Sequence, residues 1–391
     1  MSLFSSLTSR DRIFYKGRGK KKNFAIIPTV IFLLIFGVGI VLFYSTQKYA
    51  IISDDGVSIE LPFLSSGSTS PGSSENAEQT FERVSVDIQF MEADYSDVKA
   101  SAGRGLSSVR AIYVPYEDVN AESISAYSSR LSSGNALLLN VKEKNGYLAW
   151  YSDSAVAHSY GLNMVSPDSK AAMTAMIDSL KDQKIYLIAQ ICCCKDELLG
   201  AHSTDVCLRN EYGAYYYDEY GYWLDPYSTI VRNYTVQLVR ELWDMGFDEV
   251  LLADVSHPSV EDIENPDGTV IKPVSYTREM STTPTAVGAV SGFAVYVAEQ
   301  LEDREDDKYL SVYIDSSTAL SRTDTLNGQD PELFFKIFDR VYYNTDKYAY
   351  TFNLQDVSQY CTVGSIKSRF VPVVINYLPD NTSWVLVDQS S

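Results

Sequence analysis

Two aspartates stand directly after apolar runs. Asp254 follows Leu251-Leu252-Ala253, and Asp315 follows Val312-Tyr313-Ile314. Cleavage of a glycosidic bond generally uses two carboxyl groups, one as acid and one as base or nucleophile. Asp254 and Asp315 are therefore the candidate catalytic residues. Asp196 and Glu143 follow two earlier apolar runs and are further options. A single aspartate at a strand end also serves as a helix cap or a solvated turn residue, and that reading stays open. His257 is a possible acid/base, although a lone loop histidine is more often neither ligand nor catalyst. Between the third and fourth runs lie Tyr212, Tyr215, Tyr216, Tyr217, Tyr220, Tyr222, Trp223 and Tyr227. Rings of this kind stack on sugars, and they also pack long loops onto a protein surface. Trp223 is the first candidate for a substrate contact.

No metal or cofactor chemistry is legible. The five cysteines include the consecutive Cys192, Cys193 and Cys194, and no CxxC pair or zinc spacing occurs. Within an apolar run, cysteine behaves as a small hydrophobe. A disulfide from Cys207 to one of the three stays open.

Eight apolar runs would position these residues: Ser108–Val114, Ala136–Val141, Lys184–Ile191, Glu249–Val255, Leu310–Ile314, Arg340–Asn344, Phe370–Ile375 and Ser383–Val387. Helical patterns separate several of them. Ser166-Pro167-Asp168 reads as a cap with proline at the first helical position, followed by Ala172, Met173, Met176, Ile177 and Leu180. Ser228 opens a second helix with Val231, Tyr234, Leu238, Leu242 and Met245 facing inward, and Gly246 ends it. Pro331-Glu332 opens a third, carrying Phe334, Phe335 and Phe338. Eight parallel-type strands over about 280 residues fit an α/β class (β/α)8 barrel. A doubly wound open sheet is the alternative, but no glycine-rich phosphate loop follows the first strand. The long connections 192–227 and 256–283 leave strand C-termini, the face where barrel enzymes build their sites.

The formal charge of −19 is unevenly spread. Residues 1–23 hold seven cations against Asp11, a net +6, which leaves −25 for the remainder. So acidic a body makes a poor nucleic-acid partner. Phe24 to Tyr44 is a 21-residue run without a charge. Such a length spans a bilayer, and the preceding basic block orients the N-terminus to the cytoplasm. A cleaved signal peptide would have a shorter apolar run ending in small residues; this one ends Leu42-Phe43-Tyr44. The expected organisation is a cytoplasmic tail over 1–23, a transmembrane helix over 24–44, a flexible Ser/Gly/Pro-rich linker over 45–80, and an extracytoplasmic barrel over 81–391.

Several stretches resemble a bacterial family described as "putative glycosyl hydrolase domain", barrels similar to α-amylase-type glycosidases. They are 135–143 with Gly146, 185–191, Lys195-Asp196, 223–228 and 246–250. The resemblance covers roughly residues 107–260 and implies a carbohydrate substrate. It also implies that the retained Lys142, Asp196, Trp223, Asp225 and Tyr227 shape the substrate site. The family's aspartates fall on Asn140 and Ala253, and its arginines on Gln190 and Ser256. Loss of a buried charge makes loss of its partner favourable. Asp254 is no simple replacement, because side chains alternate along a strand. It reaches the mouth only through a bulge or where the strand has already ended. Two functions follow as expectations. One is a membrane-anchored barrel that acts on or binds polysaccharide of the envelope or surroundings. The other is a non-catalytic glycan- or protein-binding scaffold.

Overall fold

The computed structural model describes residues 50–53, 56–59, 105–131, 134–209, 214–218, 221–258, 263–264, 270–271, 285–361, 363–379 and 381–387. The expected tail and transmembrane helix, 1–44, lie outside the described residues. No helix of the described residues is long and apolar enough to cross a membrane. The chain divides into two compact units, Met1–Ser85 and Val86–Ser391. In the first, Ala50–Ser53 pairs antiparallel with Gly56–Ile59, inside the stretch that sequence assigned to the linker. The β-branched Ile51, Ile52, Val57 and Ile59 flank an Asp-Gly pair, the short-range signal for a hairpin.

In the second unit the strands are β1 (Arg110–Val114), β2 (Ala136–Lys142), β3 (Tyr186–Cys192), β4 (Glu249–Ala253), β5 (Tyr309–Ile314), β6 (Arg340–Asn344), β7 (Phe370–Ile375) and β8 (Trp384–Val387). All pair parallel with their sequence neighbours, and β8 pairs with β1 through Val385 and Ala111. That closure decides for the barrel and against the open sheet. The apolar runs were legible because a parallel strand is covered on both faces. In β2, Leu138 points into the barrel beside Ala111, Ile188 and Leu251, while Leu137 and Leu139 pack against the outer helices.

The helices that carry the outer layer follow the expected faces. Asp168–Asp182 buries Met173, Met176, Ile177 and Leu180 but leaves Ala172 exposed, and its cap falls on Pro167 rather than Ser166. Thr229–Asp244 buries Val231, Tyr234, Leu238 and Leu242. Pro331–Ile337 is capped by Asp330, whose carboxylate accepts from the Glu332 and Leu333 amides.

The N-terminal end of the barrel is plugged by a buried ion pair. Arg340 at the start of β6 meets Glu249 at the start of β4, and neither is exposed. The hydroxyls of Tyr186, Ser311 and Tyr342 donate to the same carboxylate at 2.9, 2.6 and 2.7 Å. Arg340 Nη2 donates to the Ser107 carbonyl at 2.9 Å.

Candidate active site at the mouth of the barrel

An open cleft of about 750 Å³ lies over the C-terminal ends of the first four strands. Tyr113 of β1, Asn140 and Lys142 of β2, Gln190 and Cys192 of β3, and Asp254 line its floor. Tyr217, Asp218 and Gly221, from a short hairpin in the loop after β3, line its wall.

Asp254 reaches this cleft because β4 stops at Ala253. Its backbone is left-handed, with φ of 50°, a conformation that costs a side-chain-bearing residue energy and that aspartate tolerates better than most. Its carbonyl accepts from the Cys194 amide at 3.1 Å. The carboxylate is held by the Cys192 thiol at 3.1 Å and by Lys144 at 3.3 Å.

Asp315 continues the inward alternation of Ser311 and Tyr313 past the end of β5. Its amide donates to Gln329 Oε1 at 2.9 Å, and its Oδ2 accepts from Gln329 Nε2 at 3.1 Å. Crowding by protein atoms and the nearby Asp254 carboxylate push this carboxyl up to about 7, against the pull of a Ser256 hydrogen bond, Lys144 and Lys195. The residue is nevertheless open to solvent. The crowding is that of a crevice that water enters, and the like charge of Asp254 acts in the same direction there. The structure thus brings Asp254 and Asp315 within electrostatic reach at one barrel end, and neither serves as a helix cap.

Of the five expected substrate contacts, Lys142 alone is among the residues lining the cleft. Trp223 is 6% exposed, with Lys195 4.3 Å over its ring and its indole N–H donating to Asp218 at 2.8 Å. A ring so enclosed has no free face for a sugar. Tyr227 is half-buried, with the Arg232 guanidinium 5.4 Å from its ring centre. Asp225 is fully buried and accepts from the Tyr227 amide at 2.8 Å, forming the turn into the next helix. Asp196 caps Glu197–His202 through the Leu199 amide at 2.7 Å and pairs with Lys142 at 2.8 Å. Lys142 lines the cleft floor, but it is 2% exposed and also donates to the Cys192 carbonyl at 2.7 Å. Burial alone would lower its ammonium, and Asp196 with the neighbouring Cys192 and Cys193 raises it instead. The resemblance marked these residues as retained; the structure gives the reason as framework. Gly146 belongs with them. It adopts φ of +85°, and a Cβ there would lie 2.1 Å from Asp196 Oδ1.

Of the four positions where the resemblance implies charges, Asn140 and Gln190 line the cleft. Asn140 and Gln190 are partners in the β2–β3 ladder, Ala253 is the partner of Cys192, and Ser256 bonds to Asp315. His257 is buried, and burial lowers its imidazole to about 4, so it is uncharged near neutrality. Its amide donates to the Asn327 carbonyl at 2.7 Å. Cys207 is a free thiol that donates to the Gly200 carbonyl at 3.7 Å. Among the described residues no cluster of three His, Cys, Asp or Glu could hold a metal ion.

Sequence reasoning missed Lys144 and Gln329, and it named Tyr217 among the loop rings without singling it out. Tyr217 is 67% exposed on the cleft wall, edge-on to Tyr222 at 5.9 Å. The signal that could have found it is hairpin alternation, since the adjacent Tyr216 is 3% exposed.

No curated protein matches this chain. Among solved structures, it is similar to a hypothetical protein from Ruminiclostridium thermocellum ATCC 27405, with 20% identity, 51% of this chain and 96% of that chain covered, and a TM-score of 0.41. Aspergillus fumigatus Ega3, solved with galactosamine, shares 9% identity over 71% of this chain and 80% of its own, with a TM-score of 0.38. The Lactobacillus brevis α-galactosidase shares 9% over 73% of this chain and 38% of its own, with a TM-score of 0.46. The sequence from residue 111 to residue 343 matches the family described as "putative glycosyl hydrolase domain", and the chain belongs to that family.

Proposed function

We propose that this chain is a membrane-anchored glycoside hydrolase that cleaves polysaccharide outside the cytoplasm. The charge-free run 24–44 and the basic block before it support the anchor. The carboxyl pair supports the hydrolase reading: Asp254 lines the cleft, Asp315 lies within its electrostatic reach at the same barrel end, and the two are held differently. Asp315, raised to about 7, is protonated in a substantial share of molecules near neutrality and acts as the acid toward the glycosidic oxygen. Asp254, ion-paired with Lys144, acts as the ionised partner, stabilising positive charge that develops on the sugar ring. The exposed ring of Tyr217 supplies a stacking face.

A second reading is binding without turnover. It is favoured by the neutral side chains at Asn140, Gln190, Ala253 and Ser256, where the family pattern has charges.

The test is a panel of bacterial and environmental polysaccharides offered to the purified full chain. Asp315→Asn and Asp254→Asn should each lower turnover on the responsive substrate by about 100-fold or more. Tyr217→Ala should weaken binding about ten-fold, with stability within about 0.5 kcal/mol of the parent. Tight binding with no detectable release of sugar, in the parent and both variants alike, establishes the binding reading instead.

A further inference from the structure

One side chain joins the two loops that carry the carboxylates. Gln329 follows the short helix Ser317–Ser321, after β5, and is fully buried. Its Oε1 accepts from the Asp315 amide at 2.9 Å and from Asn327 Nδ2 at 3.3 Å. Its Nε2 faces three oxygens: the Val255 carbonyl at 3.1 Å, the Tyr313 carbonyl at 3.2 Å and Asp315 Oδ2 at 3.1 Å. Val255 is the residue after Asp254, so one amide group grips both strand ends. The orientation of that amide follows from its neighbours. A backbone N–H only donates and a backbone carbonyl only accepts, so exchanging Oε1 with Nε2 would oppose the Asp315 amide, the Val255 carbonyl and the Tyr313 carbonyl together.

We propose that Gln329 is a positioning residue that sets where Asp315 stands relative to the strand end bearing Asp254. This rests on the reading of those two aspartates as the reacting pair. The amide has two N–H groups for three acceptors, so the acceptors compete. An ionised Asp315 takes the stronger, charge-assisted share, while a protonated one releases it toward the carbonyls of Val255 and Tyr313. Gln329 thereby links the protonation of Asp315 to the backbone beside Asp254. Its own main chain is fixed for the task. The Gln329 amide donates to Asn327 Oδ1 at 3.0 Å, and its carbonyl accepts from the Asp324 amide at 2.9 Å. The other ionisable groups facing Asp315 are Asp254 after β4, Lys144 after β2, Cys194 and Lys195 after β3, and Tyr313 in β5.

The test follows two NMR signals of the full chain through pH. These are the Asp315 carboxyl carbon and the Gln329 side-chain amide, assigned with Asp315→Asn and Gln329→Met. In the parent protein both should titrate with one midpoint. In Gln329→Met the Asp315 midpoint should rise by roughly one pH unit, because the ionised form loses a donor. Gln329→Glu should raise it further by adding a like charge. A parent Gln329 amide indifferent to the Asp315 midpoint overturns the proposal even if both variants fail to fold. An Asp315 midpoint unmoved in a folded Gln329→Met protein overturns it equally. Neither signal needs a substrate. A coupled titration in a protein that cleaves nothing leaves Gln329 in place and refutes hydrolysis alone. Where cleavage is measured, Gln329→Met should lower kcat about ten-fold and leave KM unchanged.

Discussion

The two ends of this barrel treat charge in opposite ways. At the N-terminal end, Glu249 is surrounded by donors: Arg340, Tyr186, Ser311 and Tyr342 all reach it, and the pair is sealed from water. Burial alone would lower the Arg340 guanidinium, and Glu249 together with Tyr186 and Tyr342 raises it instead. Burial likewise drives the hydroxyls of Tyr186 and Tyr342 well above the usual range. At the C-terminal end, Asp254 and Asp315 face one another's negative charge, one on a left-handed backbone and the other raised to about 7. The first arrangement satisfies its buried charge with a cation and three hydroxyls. The second raises the energy of the folded chain, as sites that do chemistry commonly do. Barrels of this kind separate the two tasks by face, with stability at the bottom and chemistry at the top.

The contrast is tested most severely at Arg340. Arg340→Met leaves Glu249 buried without its cation and should cost about 3–5 kcal/mol, measured by urea unfolding. Adding Glu249→Gln should return much of that loss, since the stranded charge is then gone. A single variant that melts with the parent would refute the plug as a stabilising element. At the mouth the same kind of charge removal should cost almost nothing. Asp254→Asn keeps a residue that tolerates the left-handed backbone, loses one partly exposed ion pair and relieves Asp315 of a like charge. Its stability should stay within about 0.5 kcal/mol of the parent. The Asp315 midpoint should fall from about 7 toward the ordinary carboxylate range. A large loss of stability there would place Asp254 with the framework and not with the chemistry.

Between these ends, what sequence disclosed depended on the range of the signal. Strands such as Leu137-Leu138-Leu139 and Val250-Leu251-Leu252 announce themselves, because apolar residues on both faces have few other uses. The mouth location of Asp254 hung on one torsion. Glycine would have flagged a positive φ at that position, and aspartate does not. Aromatic content showed that rings fill the loop after β3, but not which faces stay open. Trp223 was enclosed by Lys195 and Asp218, and Tyr217 was left out on the wall. Asp196 and Asp225 were picked as charged residues in well-kept motifs, and both spend their charge on backbone amides and, for Asp196, on Lys142. Gln329 had no local signal at all, since its partner Val255 is 74 residues away.

The smallest effect is the most discriminating, because two mouth-side groups should act with opposite sign. Asp315 goes from 3.8 unfolded to about 7 folded. Between those values the folded state keeps a proton that the unfolded chain has lost, so stability falls as pH rises through the window. His257 goes from 6.5 unfolded to about 4 folded, through burial of its ring. There the unfolded chain takes the proton first, so stability is lost as pH falls from 6.5 toward 4. The windows overlap, and the two slopes partly cancel in the parent. Unfolding midpoints at half-unit steps from pH 4 to 8 should separate them. Relative to the parent, Asp315→Asn should gain stability steadily as pH rises to about 7. His257→Gln should gain most at the acid end and converge on a constant offset above 6.5. Differences that run the same way in both variants would mean that Asp315 carries no raised proton affinity, and the division of charge between the two barrel ends would lose its mouth half.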